Sequence, residues 1–143
     1  MRSLLDVNVL VALLDTGHLH HRTATEWLHA HLRSGWASCP LTQNGCMRIL
    51  SLPGYSNPQP TALVASRLGA AVTTSHHEFW PDSVSLLSGD VIRWDRVLTS
   101  RQITDVYLLA LAVANGGHLV TFDKGISIGA VPGALKRNLV TLA

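Results

Sequence analysis

A parallel β-sheet covered by helices on both faces is the fold class that this sequence predicts, on three observations. Strand-like and helix-like segments alternate along the chain. The strand-like runs are apolar throughout, as strands buried on both faces are. Two of them run directly into an aspartate, Asp6 after Leu4-Leu5 and Asp123 after the run from His118 to Phe122. With 143 residues, 47% hydrophobic, and no linker-like stretch or internal repeat, residues 1–143 are expected to form a single domain.

Taken in order, Leu4 to Leu14 opens as a strand, meets Asp6, and turns through Asn8, a good N-cap residue, into a short apolar helix. From His20 to Arg33, Ala24, Trp27, Leu28 and Leu32 share one face of an amphipathic helix that stops at Ser34-Gly35. Trp36 to Cys39 reads as a short strand, Thr42 as the cap of a helix through Leu50, and Pro53 to Pro58 as a loop. Pro60 starts a helix reaching about Thr74. Over residues 75–102, Phe79-Trp80-Pro81 and Val84 to Leu87 read as extended, Ser88-Gly89-Asp90 as a break and Trp94 to Leu98 as a helical turn. Thr104 then caps a helix ended by Asn115-Gly116-Gly117. His118 to Phe122 is a buried strand, and Asn138 to Leu142 is strand-like.

Composition excludes several classes. No apolar run reaches the roughly 18 residues of a membrane span, and no secretory leader is visible, so the chain reads as cytoplasmic with no membrane partner. Cys39 and Cys46 lack a Cys-x-x-Cys spacing and read as buried free thiols. The net charge is +2, but setting Asp6, Asp105 and Asp123 aside leaves eleven basic against six acidic residues, nine of the cations being arginine. Arginine suits phosphate contacts, although a solvated surface is its commoner use. Trp27, Trp36, Trp80 and Trp94 are expected mostly in the core rather than stacking on bases.

The two helix-and-strand geometries bring three acids together. A helix of about twelve residues rises about 18 Å, and a strand of about six returns about 20 Å, so Asp105 and Asp123 finish on one edge. In a parallel sheet Asp6 ends a strand at that same carboxyl edge, where ligands bind. Singly, each acid is adequately explained as a turn or helix-start residue. Together they repel one another and raise their pKa values unless a cation compensates, and a hard divalent ion such as Mg²⁺ or Mn²⁺ takes such oxygen ligands. The chemistry that follows is water activation and charge neutralisation at a phosphodiester.

The motifs LLDVNVLVALL (residues 4–14), TDVYLLALA (104–112) and TFD (121–123) resemble, in order and spacing over essentially the whole chain, those of PIN-domain ribonucleases, in particular the VapC toxins of bacterial toxin–antitoxin pairs. The resemblance implies a three-layer α/β/α PIN-like fold with a mostly parallel sheet of four or five strands. It implies Asp6, Asp105 and Asp123 as metal ligands for Mg²⁺ or Mn²⁺, with Asn8 fixing the first acid's loop and Thr121 supporting the site. It further implies RNA cleavage leaving a 5′-phosphate and a 3′-hydroxyl, a VapB-like antitoxin as partner, and a homodimer. Arg48, Arg101 and Lys124, near the acids in sequence, are candidates for RNA phosphate contacts.

The chain departs from the PIN pattern at Gln43, where the family usually carries a glutamate. Glutamine keeps a carbonyl donor but loses the charge, so it is expected to hold metal less strongly, and its ordinary reading is a helix-start amide. If another acid takes the fourth role, Glu78 and Asp95 are the nearest. A rival reading is therefore a non-catalytic PIN-like module that binds RNA or a partner. A dehalogenase-type phosphatase wants a second aspartate where Asn8 stands, and a dinucleotide binder wants the glycine fingerprint GxGxxG, which is absent. His18, His20 and His21 match no zinc pattern and are expected on a solvated helix start.

Overall fold

The computed structural model describes all residues, 1–143. Five strands, β1 (Ser3–Leu5), β2 (Trp36–Ser38), β3 (His77–Phe79), β4 (His118–Thr121) and β5 (Leu139–Thr141), form one sheet in the order β3-β2-β1-β4-β5. Every pairing is parallel. Five helices connect them: α1 (Val7–Leu14), α2 (His21–His31), α3 (Pro40–Leu50), α4 (Thr61–Val72) and α5 (Gln102–Ala114). The three-layer PIN-like architecture expected from the sequence is the one observed.

Strand pleating divides the core between two faces. Leu4, Ala37 and Leu119 pack toward α5 together with Trp80, while Leu5, Trp36 and Val120 pack toward α1, α3 and α4 around Val9, Leu50 and Val64. Helix α5 is buried continuously from Val106 to Ala112, which is why its sequence is apolar almost all round. Cys39 and Cys46 are buried free thiols, and burial pushes the Cys46 thiol up to about 12. Trp36 and Trp80 are in the core, whereas Trp94 is exposed. No helix is long and apolar enough to cross a membrane.

Several boundaries move from their sequence-based positions, and side-chain hydrogen bonds mark those at the helix starts. Asn8 does not cap α1; Asp6 does, its Oδ1 accepting from Val7 N at 2.7 Å. Helix α3 begins at Pro40, whose lost amide hydrogen is harmless at a first turn, and Thr42 lies inside it, its hydroxyl accepting from Cys39 N at 3.0 Å. Helix α5 begins at Gln102, ahead of Thr104, with no side-chain cap on its own amides; Gln102 Oε1 instead accepts from Leu98 N at 2.7 Å and Thr99 N at 2.9 Å and so holds the turn that leads into the helix. Strand β3 starts two residues before the expected Phe79, and Val84 to Leu87 is irregular chain whose Val84 and Leu86 pack against the α5 core. A 3-10 turn occupies Trp94–Arg96.

The strand order reverses direction between β1 and β4: from β1 the chain builds outward through β2 and β3, then returns to lay β4 and β5 on the other side. In open α/β sheets the crevice at such a switch point is where ligands bind. The chain enters β4 through Gly116, at φ +68°, and Gly117, whose added Cβ would lie 2.5 Å from the Arg2 carbonyl oxygen and 2.8 Å from Trp80. That carbonyl is also the acceptor for His118 N at 3.1 Å. Gly117→Ala is expected to lower stability by about 1–3 kcal/mol through overpacking against backbone. Urea unfolding measures it; an unchanged midpoint would show that the β1–β4 junction yields freely.

Candidate functional site

At the switch point Leu5 is level with Val120, and Asp6 N donates to Val120 O at 2.9 Å, so the carboxyl ends of β1 and β4 are locked side by side. Asp6 is only 5% exposed. Its Oδ2 accepts from the Thr121 hydroxyl at 2.6 Å, and its Oδ1 from Val7 N. Burial raises its pKa, opposed by those two hydrogen bonds, while Asp123 raises it slightly further.

Thr121 Oγ1 also accepts from Asp123 N at 3.0 Å and from Asn8 Nδ2 at 3.2 Å. A hydroxyl has one hydrogen and two lone pairs, and here all are used. Asn8 returns through its Oδ1, which accepts from Phe122 N at 3.2 Å. Asp123 turns its carboxylate back to Gly125 N at 2.7 Å. Asn8 and Thr121 are thus tied to the chain around Asp6 and Asp123.

Asp105 arrives from the first turn of α5. Its carboxyl is pushed up to about 7, first by burial, then by the charges of Asp6 and Asp123 and by a hydrogen-bond contact with Asp123; Arg101 pulls the other way. Asp6 and Asp105 together line a cavity of about 380 Å³ with Asn8, His18, Tyr55 and Thr104. Thr104 also lines the adjoining groove, whose wall includes exposed Arg48. Arg101 and Lys124 are exposed at the same edge, and neither they nor Arg48 is held in a salt bridge.

The structure does not join Gln43 to this network. Its Nε2 donates to Ser38 Oγ at 3.0 Å, and Ser38 in turn bonds His77 Nε2 at 2.8 Å. The Gln43 side chain lines the groove between α3 and α4 and makes no hydrogen bond to the three acids. Glu78 and Asp95 do not replace it. Glu78 is taken by Trp80 Nε1 at 2.8 Å and Arg2 at 3.4 Å on the edge strand, and Asp95 lies in the 94–96 turn, which packs against residues 128–130.

Two wall residues escaped sequence reasoning. Tyr55 donates to buried Asp15 and holds that carboxyl below its usual range. His18 reaches the cavity from the loop between α1 and α2. The signal was Asp15-Thr16-Gly17, an aspartate followed by small residues that favours a tight turn over a helix start.

A pH dependence follows from Asp105. Its folded pKa lies above the unfolded carboxylate value, so the folded state holds the extra proton, and the contribution to stability falls as pH rises from about 4 through about 7. Asp105→Asn is expected to flatten that loss and to stabilise the metal-free protein at pH 8 by on the order of 1 kcal/mol, the group being half-buried and partly screened. Thermal unfolding of both proteins across this range tests it; parallel profiles would refute the assignment.

Known proteins resemble this chain in both sequence and fold. The PIN domain family model matches residues 3–130. Ribonuclease VapC44 of Mycobacterium tuberculosis is 50% identical over 142 residues, covering 99% of this chain and 100% of that protein. Ribonuclease VapC39 of the same organism is 39% identical over 137 residues, covering 95% and 99%. Among solved structures, VapBC2 from Rickettsia felis bound to a promoter DNA fragment matches with a TM-score of 0.67 at 15% identity over the whole of both chains. Mycobacterium tuberculosis VapC20, a Sarcin-Ricin loop cleaving toxin, matches with a TM-score of 0.63 at 14% identity over 92% of this chain and 98% of that one. Those two likenesses speak to fold; the family model and the full-length relatives show that the chain belongs to the PIN-domain family and, within it, to the VapC group.

Proposed function

We propose that this chain is a metal-dependent endoribonuclease, the toxin of a toxin–antitoxin pair. The observation that carries the reading is the meeting of Asp6, Asp105 and Asp123 at the topological switch point, with Asp105 pushed to about 7 by burial and by the other two acids. An uncompensated cluster of this kind destabilises a fold, so its retention points to a cation or cationic ligand that relieves it. The names of the full-length relatives support RNA as the substrate.

The donor set fits Mg²⁺ or Mn²⁺ in kind, being hard oxygen throughout. In their resting positions no three His, Cys, Asp or Glu side chains stand ready to ligate one ion. Asp6 is fixed by Val7 and Thr121, so the adjustment falls to Asp105 and Asp123. Such an ion, when bound, supplies water activation and neutralises phosphodiester charge. The chain's own residues do the rest: Thr121 favours the ionised form of Asp6, Asn8 steadies the turn that presents Asp123, and Arg48, Arg101 and Lys124 attract RNA phosphates. The cut leaves a 5′-phosphate and a 3′-hydroxyl. An acidic cavity of this size also suits inhibition by an antitoxin side chain, an arginine pairing with the carboxylates in the metal's place. In this reading the partner is a VapB-like antitoxin and the toxin is a homodimer in the cytoplasm.

Asp6→Asn, Asp105→Asn and Asp123→Asn are each expected to reduce Mg²⁺-dependent cleavage of RNA by about a hundredfold or more, the loss of one group stabilising developing charge. Chelation with EDTA should abolish cleavage. Full activity in all three variants would remove the acids from the site.

Gln43 is the proposed fourth, weakened member. It shares the carboxyl edge, since Ser38, which it bonds, ends β2 beside β1. Gln43→Glu loses the donor to Ser38 and gains a charge attracted to a cation. Calorimetry is expected to show metal binding several-fold tighter, with faster cleavage at fixed metal concentration. Unchanged affinity and rate would take position 43 out of the site. Absence of cleavage in both forms would instead favour a non-catalytic RNA-binding module.

A further inference from the structure

We infer that His18 is a substrate-binding residue of this site, its imidazole Nε2–H donating to a phosphate oxygen of the bound RNA. The inference rests on the ribonuclease reading above and assigns to the histidine-rich loop between α1 and α2 a role beyond its expected solvation.

The loop is built, not loose. Asp15 is buried, and its Oδ1 accepts from Gly17 N at 3.0 Å while Tyr55 and Asn57 hold the same carboxylate from the other side. The Asp15 carbonyl accepts from His18 N at 3.0 Å, and the His18 carbonyl accepts from His21 N at 3.0 Å. The three histidines are then separated by task. His21 Nδ1 donates to the Ala12 carbonyl at 2.7 Å, anchoring the start of α2. The His20 ring stacks on Phe122, centroids 4.6 Å apart and planes 20° apart, tying the loop to the turn before Asp123. His18 Nδ1 accepts from His20 N at 3.0 Å.

That last bond decides the chemistry of the His18 ring. A backbone amide only donates, so Nδ1 is the acceptor and the ring hydrogen resides on Nε2. Nε2 has no partner within the protein, and the ring lines the cavity that holds Asp6 and Asp105. No lysine or arginine lines that cavity. One hydrogen of Asn8 Nδ2 is given to Thr121 and the Tyr55 hydroxyl to Asp15, which leaves His18, the Thr104 hydroxyl and the second Asn8 amide hydrogen as uncommitted side-chain donors, of which His18 alone comes from the loop between α1 and α2. A phosphate arriving between two carboxylates needs a donor of just this sort. A fixed arginine in the same place would close on the acids instead, whereas a ring held through Nδ1 keeps its hydrogen for the substrate.

The test compares His18→Ala, His18→Gln, which keeps an N–H donor, and His29→Ala on the exposed face of α2 as control. Binding of a short fluorescein-labelled single-stranded RNA is followed by anisotropy in EDTA, where no cleavage occurs, and cleavage is followed separately in Mg²⁺. His18→Ala is expected to weaken RNA binding and raise KM by about tenfold, as the loss of a hydrogen bond to a charged group does, with a smaller effect on kcat. His18→Gln should recover most of the affinity, and His29→Ala should match the parent. Addition of the RNA should also move the parent's His18 imidazole resonances in a 1H–15N spectrum and leave those of His29 in place. Parent-like RNA affinity in His18→Ala, equal losses in His18→Gln and His18→Ala, or unmoved His18 resonances would each overturn the inference. A parent chain that binds RNA through His18 but cleaves none would sink the nuclease reading alone, and one that binds no RNA would sink both.

Discussion

The hydroxyl of Thr121 is the constraint on which the site depends. At the end of β4 it gives its hydrogen to Asp6 and takes hydrogens from Asp123 N and Asn8 Nδ2, so one oxygen fixes the ends of two strands and the first turn of α1. Asp6 at once follows the last residue of β1, caps α1 and forms a wall of the acidic cavity. Its two oxygens are divided accordingly, one to the helix and one to Thr121. The result is a carboxylate whose position is set by backbone geometry on both sides, which is what a preorganised site requires.

The three acids are not equivalent. Asp6 is the most enclosed, yet two hydrogen bonds offset much of its desolvation. Asp105 has no comparable donor apart from the nearby Arg101 charge, and it takes the repulsion of both neighbours. Position within the first turn of α5, where the helix dipole favours negative charge, softens that repulsion without removing it. Asp105 is therefore the member whose state responds most to whatever enters the cavity. The site thus pairs an acid held rigidly at the strand end with a less constrained one at the helix start.

The surroundings follow the same division between anchoring and availability. Tyr55, His20 and His21 are each consumed in holding the loop between α1 and α2 against the carboxyl edge. Arg48, Arg101, Lys124 and His18 keep donors that no acid in the chain claims by an ion pair or a hydrogen bond. Gln43 belongs with the anchors in this structure, bridging to β2 through Ser38 and from there to His77 of β3.

Much of this was legible in the linear sequence because it rests on local rules. Apolar runs closed by Asp6 and Asp123 marked the buried strands, Gly116-Gly117 marked the end of α5, and the spacing of helix and strand returned Asp105 to the edge of Asp123. Helix starts were less legible, since they are settled by local side-chain hydrogen bonds: Asp6 rather than Asn8 caps α1, and α5 starts ahead of Thr104 at Gln102, which folds the preceding turn onto its own side chain. Only the tertiary structure decided the order β3-β2-β1-β4-β5, and with it the switch point that sets Asp6 beside Asp123. Only it decided that Gln43 turns to Ser38, and that His18 turns into the acidic cavity while His20 and His21 pack elsewhere. The physical reason is that periodicity fixes which face a residue occupies along its own element, whereas hydrogen-bond partners more than a hundred residues apart, as Asp6 and Thr121 are, meet only once the sheet has closed.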